Sequence, residues 1–326
     1  MTKTNAVRAH AAGGPEVLRF EELELAPPAP GEAQIRHAAI GVNYIDVYFR
    51  TGLYTPPGYP YVPGMEGAGV VEALGAGVRD LAVGDRVAYA ARPLGAYAER
   101  RNIPADRLIK LPASIDEKQA AGMMLKGMTA HFLLRRTFKV ERGHTILMHA
   151  AAGGVGSLVC PWAHHLGAVV IGTVGSDAKA ELARANGCDH AIVYTKENFV
   201  ERVKAITSGR GVDVVYDSVG KDTFDGSIAC LAPLGMLVSF GQSSGVAPPF
   251  DIRKIAQGSL FLTRPSLLDY TAKRADLVRA ASELFEVVGK GIVRCRIERE
   301  YALEDAARAH RDLESRATTG SMILIP

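Results

Sequence analysis

Thr145-Ile146-Leu147-Met148-His149 runs directly into Ala150-Ala151-Ala152-Gly153-Gly154-Val155-Gly156, and a helix-like stretch follows to about Leu166. Ala151, Gly153 and Gly156 reproduce a small-x-Gly-x-x-Gly spacing. In such a turn, backbone amides and a helix N-terminus can approach a pyrophosphate closely. A Gly-rich match alone is weak, but here a strand precedes it, a helix follows, and Ala168-Val169-Val170-Ile171-Gly172 supplies a second strand at βαβ spacing. The stretch reads as a dinucleotide site, with Ala152, Gly153, Gly154 and Val155 around the phosphates. The competing reading is a flexible Gly/Ala loop in an α/β domain.

The end of the second strand selects the nucleotide. An NAD site usually places an Asp or Glu about 20 residues beyond the glycines, on the adenosine ribose. Here that position reads Gly172-Thr173-Val174-Gly175-Ser176. With no carboxylate to repel a 2′-phosphate, Gly175, the Ser176 hydroxyl and the Lys179 ammonium form a candidate phosphate site, which favours NADPH over NADH. Asp177 is close but belongs to a first helical turn, where an acid serves the helix dipole. Ser176 is equally readable as a helix N-cap, and Lys179 as a solvated helix residue.

From about Met128 the pattern alternates helix, strand and Gly turn. Further strands are expected at Ala191–Tyr194, Val212–Tyr216, Met236–Phe240 and Gly258–Leu262. This is an α/β, Rossmann-type doubly wound parallel sheet. The first ~125 residues instead read as short strands between Gly and Pro turns, among them residues 33–37, 69–73 and 85–89. After Arg264-Pro265 a helix is expected over Thr271–Val288, then a final strand, Ser321–Ile325, returning to the first domain. The expected division is 1–126 plus 265–326 for the β-rich domain and 127–264 for the nucleotide domain.

The chain has 326 residues, 48% of them hydrophobic and 22% charged, with a formal net charge of +3. That suits an ordinary globular chain long enough for two domains. The pI near 8.6, without a Lys/Arg-rich run, makes nucleic acid an unlikely partner. No apolar run is long enough to span a membrane, and the N-terminus lacks a signal-peptide core, so a cytoplasmic protein without membrane insertion is expected. Cys160, Cys188, Cys230 and Cys295 form no Cys-x-x-Cys pair and read as buried thiols. His164-His165 are helix neighbours and cannot chelate together. No metal is expected.

Several motifs together carry a resemblance that spans essentially the whole chain: residues 13–18 (Gly-Gly-Pro-Glu-Val-Leu), 41–46 (Gly-Val-Asn-Tyr-Ile-Asp), 50–54 (Arg-Thr-Gly-Leu-Tyr), the Gly loop, 216–220 (Tyr-Asp-Ser-Val-Gly) and 314–317 (Glu-Ser-Arg-Ala). In these the chain resembles the medium-chain dehydrogenase/reductase superfamily, and within it the NADPH:quinone oxidoreductases related to zeta-crystallin. The resemblance implies a GroES-like catalytic domain beside the Rossmann domain. Its zinc-dependent branch places a Cys in the segment matching Gly41-Val42-Asn43 and a His where this chain has Met65, between Gly64 and Glu66. Asn43 and Met65 do not make a zinc site, and residues 89–101 contain no Cys for a structural zinc lobe. Glu66 is read as support for the barrel turn. A quinone needs orientation and a dry pocket rather than a Lewis acid.

The resemblance also implies site residues. Asn43 begins a short helix and, with Asp46 three residues on, also fits a capping box. The segment Tyr44 to Tyr48 lies by resemblance at the nicotinamide end of the interdomain cleft, with Tyr44 and Asp46 toward the cofactor. Tyr48 and Tyr54 would line the acceptor pocket, stacking on a quinone or bonding its carbonyl; domain packing is the alternative. Thr129 would contact the nicotinamide ribose or carboxamide, with Phe132 facing the same cleft or the core of the linking helix. Tyr194 would lie near the adenine or its ribose. Ser218, Phe240, Gly241 and Ser243 follow strand ends on the ligand-binding side of the sheet. Arg316 would contact the cofactor from the return segment; a solvated helix-end arginine is the alternative.

The implied activity is zinc-independent, NADPH-dependent quinone reduction. Two alternatives stay open: an enone or 2-alkenal double-bond reductase, and a crystallin-like or AU-rich-RNA-binding protein. An apolar sheet edge formed by residues 236–240 and 259–262 argues for a homodimer.

Overall fold

The computed structural model describes residues 1–315 and 318–326. Arg316 therefore lies outside the described residues. Elements follow in chain order: β1 (Thr2–Ala9), β2 (Leu18–Leu25), β3 (Glu32–Val42), α1 (Tyr44–Arg50), β4 (Glu66–Leu74), β5 (Arg86–Ala90), β6 (Arg100–Pro104), β7 (Ile109–Lys110) and α2 (Glu117–Phe132). The nucleotide-binding order then begins: β8 (Thr145–Met148), α3 (Gly156–His165), β9 (Val169–Val174), α4 (Asp177–Ala185), β10 (His190–Val193), α5 (Phe199–Ile206), β11 (Val212–Asp217), α6 (Phe224–Ala229), β12 (Leu231–Ser239) and β13 (Phe261–Thr263). The chain closes with α7 (Leu267–Tyr270), α8 (Arg274–Gly289), β14 (Ile297–Ala302), α9 (Ala306–Glu314) and β15 (Ser321–Ile325).

Two compact units result. The first comprises Met1–Lys126, Thr271–Phe285 and Cys295–Pro326; the second comprises Gly127–Tyr270 and Glu286–Arg294. In the second unit six parallel strands stand in the order β10-β9-β8-β11-β12-β13. The central strands are apolar throughout because helices cover both faces of a parallel sheet. Leu147, Ile171, Val215 and Leu237 form its core with Val203 and Phe224 from the helices. β13 is shorter and later than the expected Gly258–Leu262 strand. Gly258 and Ser259 both take positive φ, 87° and 51°, so they turn the chain before pairing with β12 starts at Met236↔Phe261.

In the first unit β3 is the central strand, pairing with β4, β6 and β15. β15 returns antiparallel to β3, Met322 opposite Val42, and brings the C-terminus back to the first unit. Among the described residues no helix is long and apolar enough to cross a membrane.

Candidate active site

The turn after β8 is built by close approach. Ala151 N–H donates to Thr173 O at 3.0 Å and Gly153 N–H to Ala150 O at 2.8 Å, which ties the loop to β9 and to itself. A Cβ at Gly156 would stand 2.4 Å from Ala150 O and 2.7 Å from Ala151 Cα, and one at Gly172 would stand 2.5 Å from Ala151 Cβ. Only glycine fits either place. The result is a cradle of small residues, Ala152 to Val155, at the N-terminus of α3, where Ser157 and Leu158 N–H donate back to Gly153 O and Val155 O and fix the turn. The cradle fits a dinucleotide pyrophosphate on its shape and its dipole.

At the neighbouring strand end, Ser176 caps α4, its hydroxyl accepting Lys179 N–H at 3.4 Å. The capping reading of Ser176 is thus realised, and its side chain is exposed as well. Asp177 is met by Lys196 at 2.5 Å, so its charge is paired on the surface. Tyr194 lies one residue beyond β10 and is 49% exposed. Its hydroxyl covers Gly175, where a Cβ would come within 3.0 Å. The ends of β9 and β10 thus collect Gly175, Ser176, Lys179 and Tyr194 into one patch.

The end of β11 is held from below by a buried chain that the sequence reading missed. His149 Nδ1 is 2.8 Å from Thr173 Oγ1, and its Nε2 is 3.0 Å from Ser227 Oγ. Ser227 in turn donates to Asp217 Oδ2 at 2.9 Å. Its oxygen must therefore accept from His149 Nε2–H, which leaves Nδ1 to accept the Thr173 proton. Burial pulls His149 below its usual range, against the pull of Asp217, so it serves as a neutral strut. Asp217 Oδ1 also takes the N–H groups of Val219 and Gly220. These bonds set the Ser218 loop, and Ser243 N–H reaches Ser218 O at 3.1 Å. A Cβ at Gly241 would lie 2.6 Å from Ser218 O. Ser218, Phe240, Gly241 and Ser243 are brought together on the carboxyl side of the sheet.

Thr129 is buried in α2. Phe132 is 2% exposed and its ring is stacked on Tyr270, centroids 4.7 Å apart and planes 12° apart. The structure gives Phe132 a packing role, the alternative weighed for it above.

In the first unit, α1 presents an aromatic cluster. Tyr48 lies 6.0 Å from Tyr44 and 5.2 Å from Tyr54, and Tyr54 meets Phe49 edge-on at 5.6 Å. Tyr44 and Tyr54 are partly exposed, while Tyr48 is buried among them. The Asn43–Asp46 capping box forms, with Asn43 N–H donating to Asp46 Oδ2 at 2.9 Å. Asp46 is 0% exposed, so it supports the helix from within and presents no surface to a ligand. Asn43 also does more than cap: its Nδ2 donates to Glu66 Oε2 at 2.7 Å.

Glu66 was read as support for the barrel turn; it proves to be the centre of a polar cluster. Its Oε1 accepts Leu125 N–H at 2.7 Å, and the Lys126 ammonium stands 3.6 Å from Oε2 and 3.4 Å from Val42 O. Burial pushes the Glu66 carboxyl up; Lys126, Asn43 and the Leu125 amide oppose that shift. A buried ammonium thus balances a buried carboxylate beside Asn43 and Met65. Among the described residues no group of three or more His, Cys, Asp or Glu side chains could hold a metal.

A parallel sheet with a small-residue phosphate cradle, in one chain with a β unit bearing a cluster of phenols, defines a nucleotide-dependent oxidoreductase of the medium-chain type. Comparison with known proteins gives the family. Residues 154–285 match the family model described as zinc-binding dehydrogenase, and residues 29–113 match that of the alcohol dehydrogenase GroES-like domain. The chain is 50% identical over 317 residues to a quinone oxidoreductase of Pseudomonas aeruginosa, covering 97% of this chain and 98% of the relative. It is 46% identical over 326 residues to a 2-haloacrylate reductase of Burkholderia sp., covering 97% of each. The solved structure of Escherichia coli quinone oxidoreductase complexed with NADPH superposes with a TM-score of 0.97 at 47% identity, over 99% of this chain and 100% of that one. The chain belongs to the quinone oxidoreductase family of the medium-chain dehydrogenase/reductase superfamily.

Proposed function

We propose that the protein is an NADPH-dependent quinone reductase that works without a metal ion. The observation that carries the cofactor is the cradle at Ala152–Val155, closed by Gly156 and Gly172, together with a strand end bearing Gly175-Ser176 in place of a carboxylate. When bound, the nicotinamide supplies a hydride from its C4. The chain's residues divide the remaining work. The cradle and the α3 N-terminus hold the pyrophosphate. Ser176, Lys179 and Tyr194 receive the 2′-phosphate and adenosine. Ser218, Phe240, Gly241 and Ser243, with Thr129, orient the nicotinamide half. Tyr44, Tyr48 and Tyr54 receive a planar acceptor by ring contact and phenol hydrogen bonds. Asn43 is held by Glu66 for the same task.

The Glu66–Lys126 pair supports the metal-free reading. A cation already neutralises the buried Glu66 carboxylate, and Met65 offers no hard or borderline ligand. A second reading, reduction of an activated carbon–carbon double bond, is supported by the similarity to the 2-haloacrylate reductase. The testing experiment is NADPH oxidation by chelator-treated protein, offered 1,4-benzoquinone, 2-chloroacrylate or a 2-alkenal in parallel. Quinone-dependent turnover with NADH much poorer supports the first reading; turnover only with the alkenes moves the assignment to the second.

The proposed assembly is a homodimer through β13, an edge strand on which Phe261 and Leu262 are 54% and 38% exposed, with Leu234 nearby in sequence to β12's pairing segment at 67%. Leaving such an edge open invites pairing with a second chain. The four free thiols, three of them buried, suit a reducing cytoplasm.

A further inference from the structure

A second buried chain of polar groups runs through the first unit and ends on α1. Arg50, 1% exposed, holds Glu314 of α9 through two bonds of 2.9 and 2.8 Å, and its Nη1 lies 3.1 Å from His310 Nδ1. His310 Nε2 is 2.9 Å from Tyr97 Oη, which is 3.2 Å from Asp46 Oδ2. The direction of every bond follows from the one group that can only donate. Arginine has no acceptor, so His310 Nδ1 accepts from it; the neutral ring then carries its proton on Nε2 and donates to Tyr97. The Tyr97 proton is left for Asp46. Burial and the neighbouring Arg50 charge hold His310 down at about 3, so the ring stays neutral at physiological pH.

Asp46 Oδ2 therefore receives two donors, Tyr97 O–H and Asn43 N–H. Its Oδ1 is fully buried and finds no hydrogen-bond partner among the described residues. Any proton Asp46 binds must sit on Oδ1, because both lone pairs of Oδ2 are engaged. We propose that Asp46 is a positioning residue for the quinone reaction: ionised, it clamps the amino end of α1 through Asn43 N–H and so fixes the Asn43 amide and the Tyr48 ring; protonated on Oδ1, it holds Asn43 N–H only by the weaker bond of a neutral acceptor, and the clamp loosens.

The charge matters for two physical reasons. An ionised acceptor makes the stronger hydrogen bond, and a negative charge in the first helical turn is favoured by the helix dipole. The groups facing Asp46 are Glu66 of β4, Lys126 of α2, Tyr89 of β5, Tyr61 ahead of β4 and Tyr97 ahead of β6, with His310, Arg50 and Glu314 in line behind Tyr97. Burial foremost, then Glu66, raises Asp46 to about 7, while Asn43 N–H, Tyr97 and Lys126 pull it back. The clamp is therefore poised to titrate near neutral pH.

The test compares pH profiles of kcat/KM for the wild type, Asp46→Asn, Tyr97→Phe and His310→Gln. The wild type should lose activity on the acid side of about pH 7. Asp46→Asn, which cannot ionise, should show that limb abolished and run near the acid plateau throughout. Tyr97→Phe removes a donor that favours the anion, so the limb should move up by about one pH unit. His310→Gln, whose amide can donate to Tyr97 and accept from Arg50, should keep the wild-type limb. A structural role alone would lower melting temperatures without moving the limb. An infrared pH titration of the carboxylic-acid band, absent in Asp46→Asn, reads the same event without turnover. The kinetic arm rests on the quinone reading and the infrared arm does not, so absent quinone turnover with an intact titration counts against that reading and leaves Asp46 supported. A wild-type limb that Tyr97→Phe leaves in place, or no carboxyl titrating near neutrality, overturns the proposal.

Discussion

Replacing Lys126 by Met keeps the length and packing of the stem and removes its charge, leaving the Glu66 carboxylate buried without a counter-ion. At 3.6 Å and an effective dielectric near 20, the lost attraction is about 4.6 kcal/mol. The protein can avoid part of that loss by protonating Glu66. Holding a carboxyl of ordinary value 4.5 neutral at pH 7 costs about 3.4 kcal/mol, at 1.36 kcal/mol per unit. The smaller figure governs, so Lys126→Met should lose about 3 kcal/mol at pH 7. The sign of the pH dependence follows. In the variant Glu66 titrates higher folded than unfolded, so folding takes up a proton above the unfolded value, and stability falls as pH rises through the interval from about 4.5 to 7. At pH 5 the cost should shrink to about 0.7 kcal/mol. The double variant Glu66→Gln/Lys126→Met removes both charges and keeps one acceptor oxygen, for Leu125 N–H, of the two that Glu66 offers to Leu125 and Asn43. It should recover all but about 1 kcal/mol. Urea denaturation followed by far-ultraviolet circular dichroism at pH 5 and 7 measures all of this. A single variant that costs less than about 1 kcal/mol at pH 7, or equally at both pH values, refutes the ion-pair account.

Gly156→Ala places a methyl 2.4 Å from Ala150 O and 2.7 Å from Ala151 Cα, backbone atoms that cannot swing aside, so the cradle must shift; NADPH affinity, read by fluorescence titration, should fall at least about tenfold. Ser176→Ala removes the α4 cap, worth about 1 kcal/mol of stability, and combined with Lys179→Ala should weaken NADPH about tenfold or more while leaving NADH nearly unchanged. A parallel loss for both cofactors would show that the pair only caps a helix. Phe261→Asp puts a charge on the open β13 edge and should yield a monomer by light scattering at micromolar concentration; an unchanged mass would remove β13 from the interface.

The Rossmann half was legible because its signals are local. The apolar strand, the small residues at 151, 153 and 156, and the next strand lie within about 30 residues, the span of one βαβ unit. The Asn43–Asp46 capping box was legible for the same reason. What was not legible depends on pairs far apart in the chain. His310 meets Arg50 across 260 residues and Tyr97 across 213. A weak signal existed: Ala306, Ala309 and His310 share one face of α9, and a histidine on a small apolar face is a buried one. Arg50 offered none, since an arginine at the end of a short helix ordinarily completes the dipole in solvent. Phe132 shows the same limit in its packing. Helical spacing placed it one turn beyond Thr129, but Tyr270, 138 residues later, supplies the ring that claims it.

The two buried carboxylates of the first unit have opposite environments. Glu66 has a cation, an amide and a backbone N–H at its oxygens, and each of these favours the anion. Asp46, in the same cluster, has two neutral donors on one oxygen and nothing on the other. Like charges at short range in a dry interior push the less supported partner toward the neutral form. The Lys126 ammonium can serve only one of them at close range, and it sits against Glu66. Glu66 is thus the anchor that orients Asn43, and Asp46 is the carboxyl left to titrate. If that is right, Glu66→Gln should lower the Asp46 acid limb, because it removes the repelling charge, whereas adding Lys126→Met to that variant should raise the limb again, because it removes the attracting one. Opposite shifts in one pH profile distinguish an electrostatic pair from two residues that merely pack together, and shifts in the same direction would sink the assignment.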